Sequence, residues 1–192
     1  MKNTSLSLSA AKNARERILF TAHELFYRDG IRATGVDRLI ARAEVTKTTF
    51  YRHFPSKNEL VMAFLTFRHE RWRSWFISQL EAHGNGIEAV CPALAEWFES
   101  DDFRGCAFIN SLEELGGELP QIVEITRLHK DDLANIIAGI VPTIKDREKK
   151  AQAITLAIDG AIIRAQFDAV PEVALAGLQL IITSLFAADD EA

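Results

Sequence analysis

Between Asp29 and Glu59 the chain is punctuated so closely that only short helices fit. Before it, Ile18, Leu19, Ala22, Leu25 and Phe26 recur at helical spacing from about Ala11 to Asp29, and Gly30 is a natural stop. Thr34 is placed to cap a short helix from Val36 to about Ala43, with Val36, Leu39 and Ile40 as its buried face. Asp37 falls in its first turn, where the helix dipole favours an anion. Thr46 is placed to cap a third helix, KTTFYRHF. That helix must end before Pro55, because the residue ahead of a proline avoids the α region. Ser56-Lys57-Asn58-Glu59 is a capping box, and it opens a long helix to about Leu80.

Downstream the breaks are Gly84-Asn85-Gly86, Asp101–Gly105, Gly116-Gly117, Val141-Pro142 and Asp168–Val170. Helices are expected over about Ile87–Ser100, Cys106–Leu115, Pro120–Ile140, Asp146–Phe167 and Pro171–Ala188. The expected fold is therefore all-α, and the short link at Asp168–Val170 makes the last two helices antiparallel neighbours. At 192 residues, 48% hydrophobic and 26% charged, the chain suits one large domain or two small ones and excludes a disordered class. No apolar run reaches about 18 residues, which argues against a membrane span. The start, MKNTSLSLSAAKNARERI, has no apolar stretch of the kind a secretory leader needs. Two cysteines, Cys91 and Cys106, are too few for a disulfide framework and lack zinc-ligand spacing. A cytoplasmic protein is expected.

Charge divides the chain. Residues 1–60 carry 11 Lys/Arg against 6 Asp/Glu, and the remainder carries 11 against 21. A basic third on an acidic body suits an anionic partner met at one end, or a solvated charged face. Helices two and three, joined through Ala43-Glu44-Val45, have the layout of a helix-turn-helix, whose second helix enters the major groove of DNA. Lys47, Thr48, Tyr51 and Arg52 fall on one side of the third helix, and Val45, Phe50 and Phe54 can face inward. Thr, Tyr, Lys and Arg suit phosphate oxygens and base edges. Arg15, Arg32, Arg38, Arg42 and Lys57 add positive charge nearby. A plain three-helix scaffold accounts for the same pattern.

ILFTAHELFYRDGIRATGVDRLIARAEVTKTTFYRHFPSKNELVMAFL resembles the DNA-binding domain of the TetR (tetracycline-repressor) family of bacterial transcriptional regulators. The likeness covers about residues 13–65 and is most specific over TKTTFYRHFPSK. It implies an all-α homodimer with an N-terminal three-helix DNA-binding domain (residues 1–58) and a larger effector-binding and dimerisation domain (59–192). The partners implied are a near-palindromic double-stranded DNA operator, a second copy of the chain and a small-molecule effector whose binding ends repression. No cofactor or membrane is implied, and the expected location is the bacterial nucleoid. By the resemblance, Thr34 caps helix two and touches phosphate, and Thr46 caps the recognition helix. Lys47 and Thr48 face the groove, Tyr51 and His53 contact phosphate or base, and Lys57 contacts phosphate. Arg52 joins this set as a basic residue of the same helix. His53 packed on helix four is the alternative. Two residues depart from the family pattern. Glu44 stands where glycine is common, so the turn must accommodate a side chain; a left-handed conformation is one way to do so, and the sequence leaves the turn's geometry open. Thr48 also stands where glycine is frequent, and its methyl suits a thymine methyl.

Aromatics concentrate in the second part, where an apolar cavity lined from Phe64, Trp72, Trp97, Phe108 and Phe167 is expected to take an effector. Asn110, Glu113, Asp159, Arg164 and Gln166 are the polar candidates to orient it, though each also suits a satisfied buried position or solvent contact. Asp159 and Arg164 lie on faces too far apart for an assured pair. In the last helix Leu175, Leu178, Ile181, Ile182 and Leu185 form a stripe that Val173, Leu180 and Phe186 extend. A helix apolar nearly all round must be covered on two sides, most simply by a second copy. His69 and His129 are too scattered for a metal site, and no catalytic signature is present. Cys106 suits a small buried hydrophobe, with a redox sensor as the alternative. The leading expectation is an effector-responsive DNA-binding regulator, not an enzyme. A protein of the same fold that organises DNA or binds another protein, without a small-molecule effector, is the second. An enzyme with an aromatic pocket is the third.

Overall fold

The computed structural model describes residues 11–142 and 145–187. Among the described residues the chain is all-α, without strands, in the order α1 (Ala14–Asp29), α2 (Val36–Arg42), α3 (Lys47–His53), α4 (Lys57–Ala82), α5 (Val90–Phe98), α6 (Ala107–Leu115), α7 (Gln121–Ile140), α8 (Arg147–Ala165) and α9 (Glu172–Ala187). The expected stops hold to within a few residues. One of the described helices' properties bears on placement: none is long and apolar enough to cross a membrane. Helix contacts group into two compact units. One runs to Arg71 and includes Ala107–Thr126, and the other comprises Trp72–Cys106 and the residues from Arg127 onward.

In the first unit α1 starts at Asn13, whose side chain accepts the Glu16 N–H, and stops at Gly30, where φ is 90°. Glycine adopts that conformation without the Cβ penalty other residues meet. Thr34 does not cap α2. The N-cap is Gly35, with no side-chain bond, and the Thr34 hydroxyl instead donates to the Gly30 carbonyl at 2.7 Å. Thr46 does cap α3, accepting the Thr49 N–H at 3.1 Å, and Ser56 Oγ accepts the Glu59 N–H at the start of α4. Between α2 and α3 Glu44 has φ 53°, the left-handed turn that its side chain must tolerate. Ile18, Leu25, Leu39, Phe50, Leu60 and Phe64 form the buried centre. Each is worth about 1.5–3 kcal/mol relative to exposure. Phe64 meets Phe26 edge-on at 5.5 Å and lies 6.0 Å from the His23 ring. Phe108 is likewise core, with His69 6.4 Å away.

In the second unit Trp72, Trp75, Phe76, Trp97, Phe98 and Phe103 pack into one aromatic cluster. Trp72 stacks on Phe76 at 4.8 Å, and Trp97 meets Phe103 edge-on at 5.2 Å. Offset and edge-on pairs of this kind add about 0.5–1.5 kcal/mol each beyond area burial. Helices α8 and α9 pack along each other, and α5 also packs on α9. Leu178 and Ile182 are consumed by that packing, at 2% and 3% exposure, so two of the five residues of the expected dimer stripe face their own chain.

Candidate nucleic-acid interface

Seven residues make α3 a helix of two turns, too short to hold its shape in water unaided. It is held from one side. Phe50 is fully buried, Phe54 follows it into the core at 3% exposure, and α3 packs on both α1 and α2. The Thr46 cap closes its first turn, and a cap of this type contributes about 1 kcal/mol. With Phe50 turned inward, helical geometry turns Lys47, Thr48 and Arg52 outward, and all three are exposed. Tyr51 stays 40% exposed while its ring leans edge-on against Phe50 at 5.3 Å.

Charge is distributed less evenly than the sequence suggests. Arg38 pairs with Asp29 at 2.7 Å, Arg42 with Glu24 at 3.4 Å, and Arg32 with Glu118 at 2.5 Å. Lys47 and Arg52 stand in no ion pair among the described residues. Of the cations on α2 and α3, those left for an external anion are therefore Lys47 and Arg52, on α3. Arg15, at the start of α1, lies with its guanidinium 5.1 Å from the centre of the Phe54 ring.

The remaining expected contacts sit differently. Thr34 is fully buried, so its side chain braces the turn before α2 and has no surface to offer a phosphate. Lys57 points inward: its ammonium donates to the Ile31 carbonyl at 2.6 Å and lies 6.0 Å over the Phe26 ring. Burial pushes its pKa below the ordinary lysine value, against the opposing pull of Glu114. His53 is half-buried and lines a groove of about 380 Å³ with Arg15, Phe54, Met62 and Leu119.

Of the expected effector residues, Phe64, Phe108, Asn110 and Glu113 belong to the unit that contains α3, with Asn110 half-buried and Glu113 exposed. Trp72, Trp97, Asp159, Arg164 and Phe167 belong to the other, where Trp72 and Trp97 meet at 5.9 Å between ring centres. Asp159 and Arg164 do not pair with each other. Asp159 accepts from Lys130 at 2.5 Å, and the same ammonium lies 3.5 Å from the Cys106 sulfur. Burial pulls the Lys130 pKa down, but these neighbours outweigh it and the net direction is up. Arg164 pairs with Asp168 at 3.1 Å and covers Phe167, which is 65% exposed. Lys130 is a partner the sequence did not suggest, because 29 residues and a helix boundary separate it from Asp159.

Comparison with known proteins points the same way as this geometry. Residues 18–64 match the family described as bacterial regulatory proteins, tetR family. An uncharacterised helix-turn-helix-type transcriptional regulator of Lactococcus lactis is 23% identical over 162 residues, 79% of this chain and 83% of that protein. Among solved structures, a TetR-family transcriptional regulator of Streptomyces coelicolor superposes with a TM-score of 0.75. It is 27% identical, with 89% of this chain and 95% of that one covered. The multidrug-binding protein EbrR, solved in complex with malachite green, shares the fold at a TM-score of 0.66 and 18% identity, covering 88% of this chain and 97% of its own.

Proposed function

We propose that the chain is a DNA-binding transcriptional regulator of the tetR family of bacterial regulatory proteins, the family that residues 18–64 match, and that it acts as a dimeric repressor released by a small molecule. The observation that carries the reading is the outward row of α3: two cations without an ion pair among the described residues, a threonine and a tyrosine, on a helix fixed from behind by Phe50 and Phe54. In this reading α3 enters the major groove, where Lys47 and Thr48 reach base edges and Tyr51 and Arg52 reach phosphate. Thr46 sits at the start of the helix, where N–H groups also attract phosphate. His53 contacts the backbone only if it leaves its groove.

Two copies read the two halves of a near-palindromic operator, with recognition helices about 34 Å apart. Exposed aliphatics on α8 and α9 support a dimer face there: Leu156 is 73% exposed and Leu180 68%. Ile181 is exposed to a lesser degree, and Leu175 and Leu185 at intermediate burial flank it. Such a face suits an isologous contact between copies. Residues 1–58 then act as the DNA head, and 59–192 as the effector and dimerisation region. A small-molecule effector with aromatic rings is supported by the aromatic cluster around Trp72 and Trp97, and by the malachite green bound to EbrR on the same fold. It releases DNA only to the extent that it binds the non-operator state more tightly. The site of action is the cytoplasmic nucleoid, where operators lie.

Binding-site selection from a random duplex library tests the reading. Two inverted half-sites spaced by about one helical turn are expected. Recovery of unrelated sequences would contradict operator recognition.

A further inference from the structure

We propose that Glu114, on α6, is a positioning residue for DNA recognition: it holds the turn from which α2 and α3 are hung. The inference rests on α3 being the DNA-reading helix, and it adds to the DNA head a residue 82 positions beyond that turn.

The Glu114 carboxylate accepts two successive backbone N–H groups, Ile31 at 3.1 Å through Oε1 and Arg32 at 2.7 Å through Oε2. The clasp is returned. Arg32 Nε donates to the Glu114 backbone carbonyl at 2.7 Å, and its guanidinium also pairs with Glu118. The carbonyl of Ile31 is occupied as well, by the Lys57 ammonium. Both polar groups of one residue are thus fixed, one from α6 and one from α4, while the Ile31 side chain is buried at 1% exposure. Gly30 leaves the room this needs. A Cβ built there would lie 3.3 Å from Glu114 Oε2, on a backbone whose φ of +90° already disfavours one.

A carboxylate bridging two adjacent N–H groups makes charge-assisted bonds that fix direction as well as distance. The held segment, Gly30–Gly35, is the whole connection between α1 and α2. Any rotation in it swings the outward row of α3, and recognition depends on support that keeps contacting side chains within about 0.5 Å of their working geometry. The same compact unit includes Ala107–Thr126, so the clasp is internal to the unit that holds α3. Sequence patterning flagged Glu113, which is exposed, whereas its neighbour Glu114 makes the contacts.

The test compares full-length wild type, Glu114→Ala, Glu114→Gln and Glu99→Ala on a selected operator duplex, by fluorescence anisotropy, with the folded fraction fixed by circular dichroism. Glu99 is exposed in the other unit, so its variant carries the same charge change away from the clasp. Losing charge-assisted bonds is expected to weaken operator affinity per folded molecule about tenfold in Glu114→Ala, with affinity for random DNA kept. Glu114→Gln has one acceptor oxygen in place of two and should fall between, and it decides the matter if the alanine variant does not fold. Operator affinity of the folded Glu114 variants equal to that of Glu99→Ala would overturn the inference and leave Glu114 a stabilising contact only. No operator binding by wild type would overturn the reading of α3 itself, and this inference with it.

Discussion

Thr48 stands exposed on α3 at a position where glycine is frequent in the family it resembles, and its methyl and hydroxyl give that position something to read with. Thr48→Gly should relax preference at one base pair per half-site in a binding-site selection, and an unchanged preference would remove Thr48 from the reading set. His23 governs a different property. Its pKa is held at about 3, chiefly by burial and then by the charges of Arg68 and Arg71, and the Arg68 guanidinium donates to its Nε2 at 3.2 Å. The unfolded chain binds a proton there below about pH 6.5 that the folded chain refuses until about pH 3. Stability present above pH 6.5 is therefore lost as pH falls through that window, by up to about 1.4 kcal/mol per pH unit. His23→Gln should flatten that part of the urea-denaturation profile, and an equally steep profile would show that other groups carry it. At this scale the sequence disclosed what is local. Thr46 and Ser56 cap as expected because each partner lies three residues away. Thr34 misled because the nearby Gly30 carbonyl competes for its hydroxyl.

Among the helices, boundaries were legible because periodicity, caps and glycine stops are short-range signals. Faces were less so. α9 is apolar nearly all round, and no pattern within it says which side its own domain takes. The structure gives Leu178 to the chain's interior and leaves Leu180 out. The two leucines should consequently behave differently. Leu178→Glu places a charge in the core and should cost about 3 kcal/mol or more of folding stability in urea titration. Leu180→Glu should leave the protomer's fold intact and shift sedimentation from dimer to monomer. A dimer that survives Leu180→Glu would place the interface elsewhere. The clasp of α6 on the turn before α2 was hidden for another reason: its partners are 82 and 83 residues apart, and pairing at that separation has no signature in one sequence.

For the molecule as a whole, the split between a basic N-terminal third and an acidic remainder was visible at once and pointed toward an anionic partner. What it could not show is that Arg32, Arg38 and Arg42 stand in ion pairs, which leaves Lys47 and Arg52 as the open cations of α2 and α3. Nor could it show that Ala107–Thr126 packs with the helix-turn-helix. The central claim, that α3 of each protomer reads one half of an operator, is tested most directly by titrating the protein against the DNA flanking its own gene at several salt concentrations, with fluorescence anisotropy as readout. The account predicts saturation at two protomers, or a small multiple, per site, and a log K that falls with log salt by about 0.9 per phosphate contact. It also predicts a shallower slope for Arg52→Ala, by about one contact. A flat salt dependence, with no preference over a scrambled duplex, would contradict it.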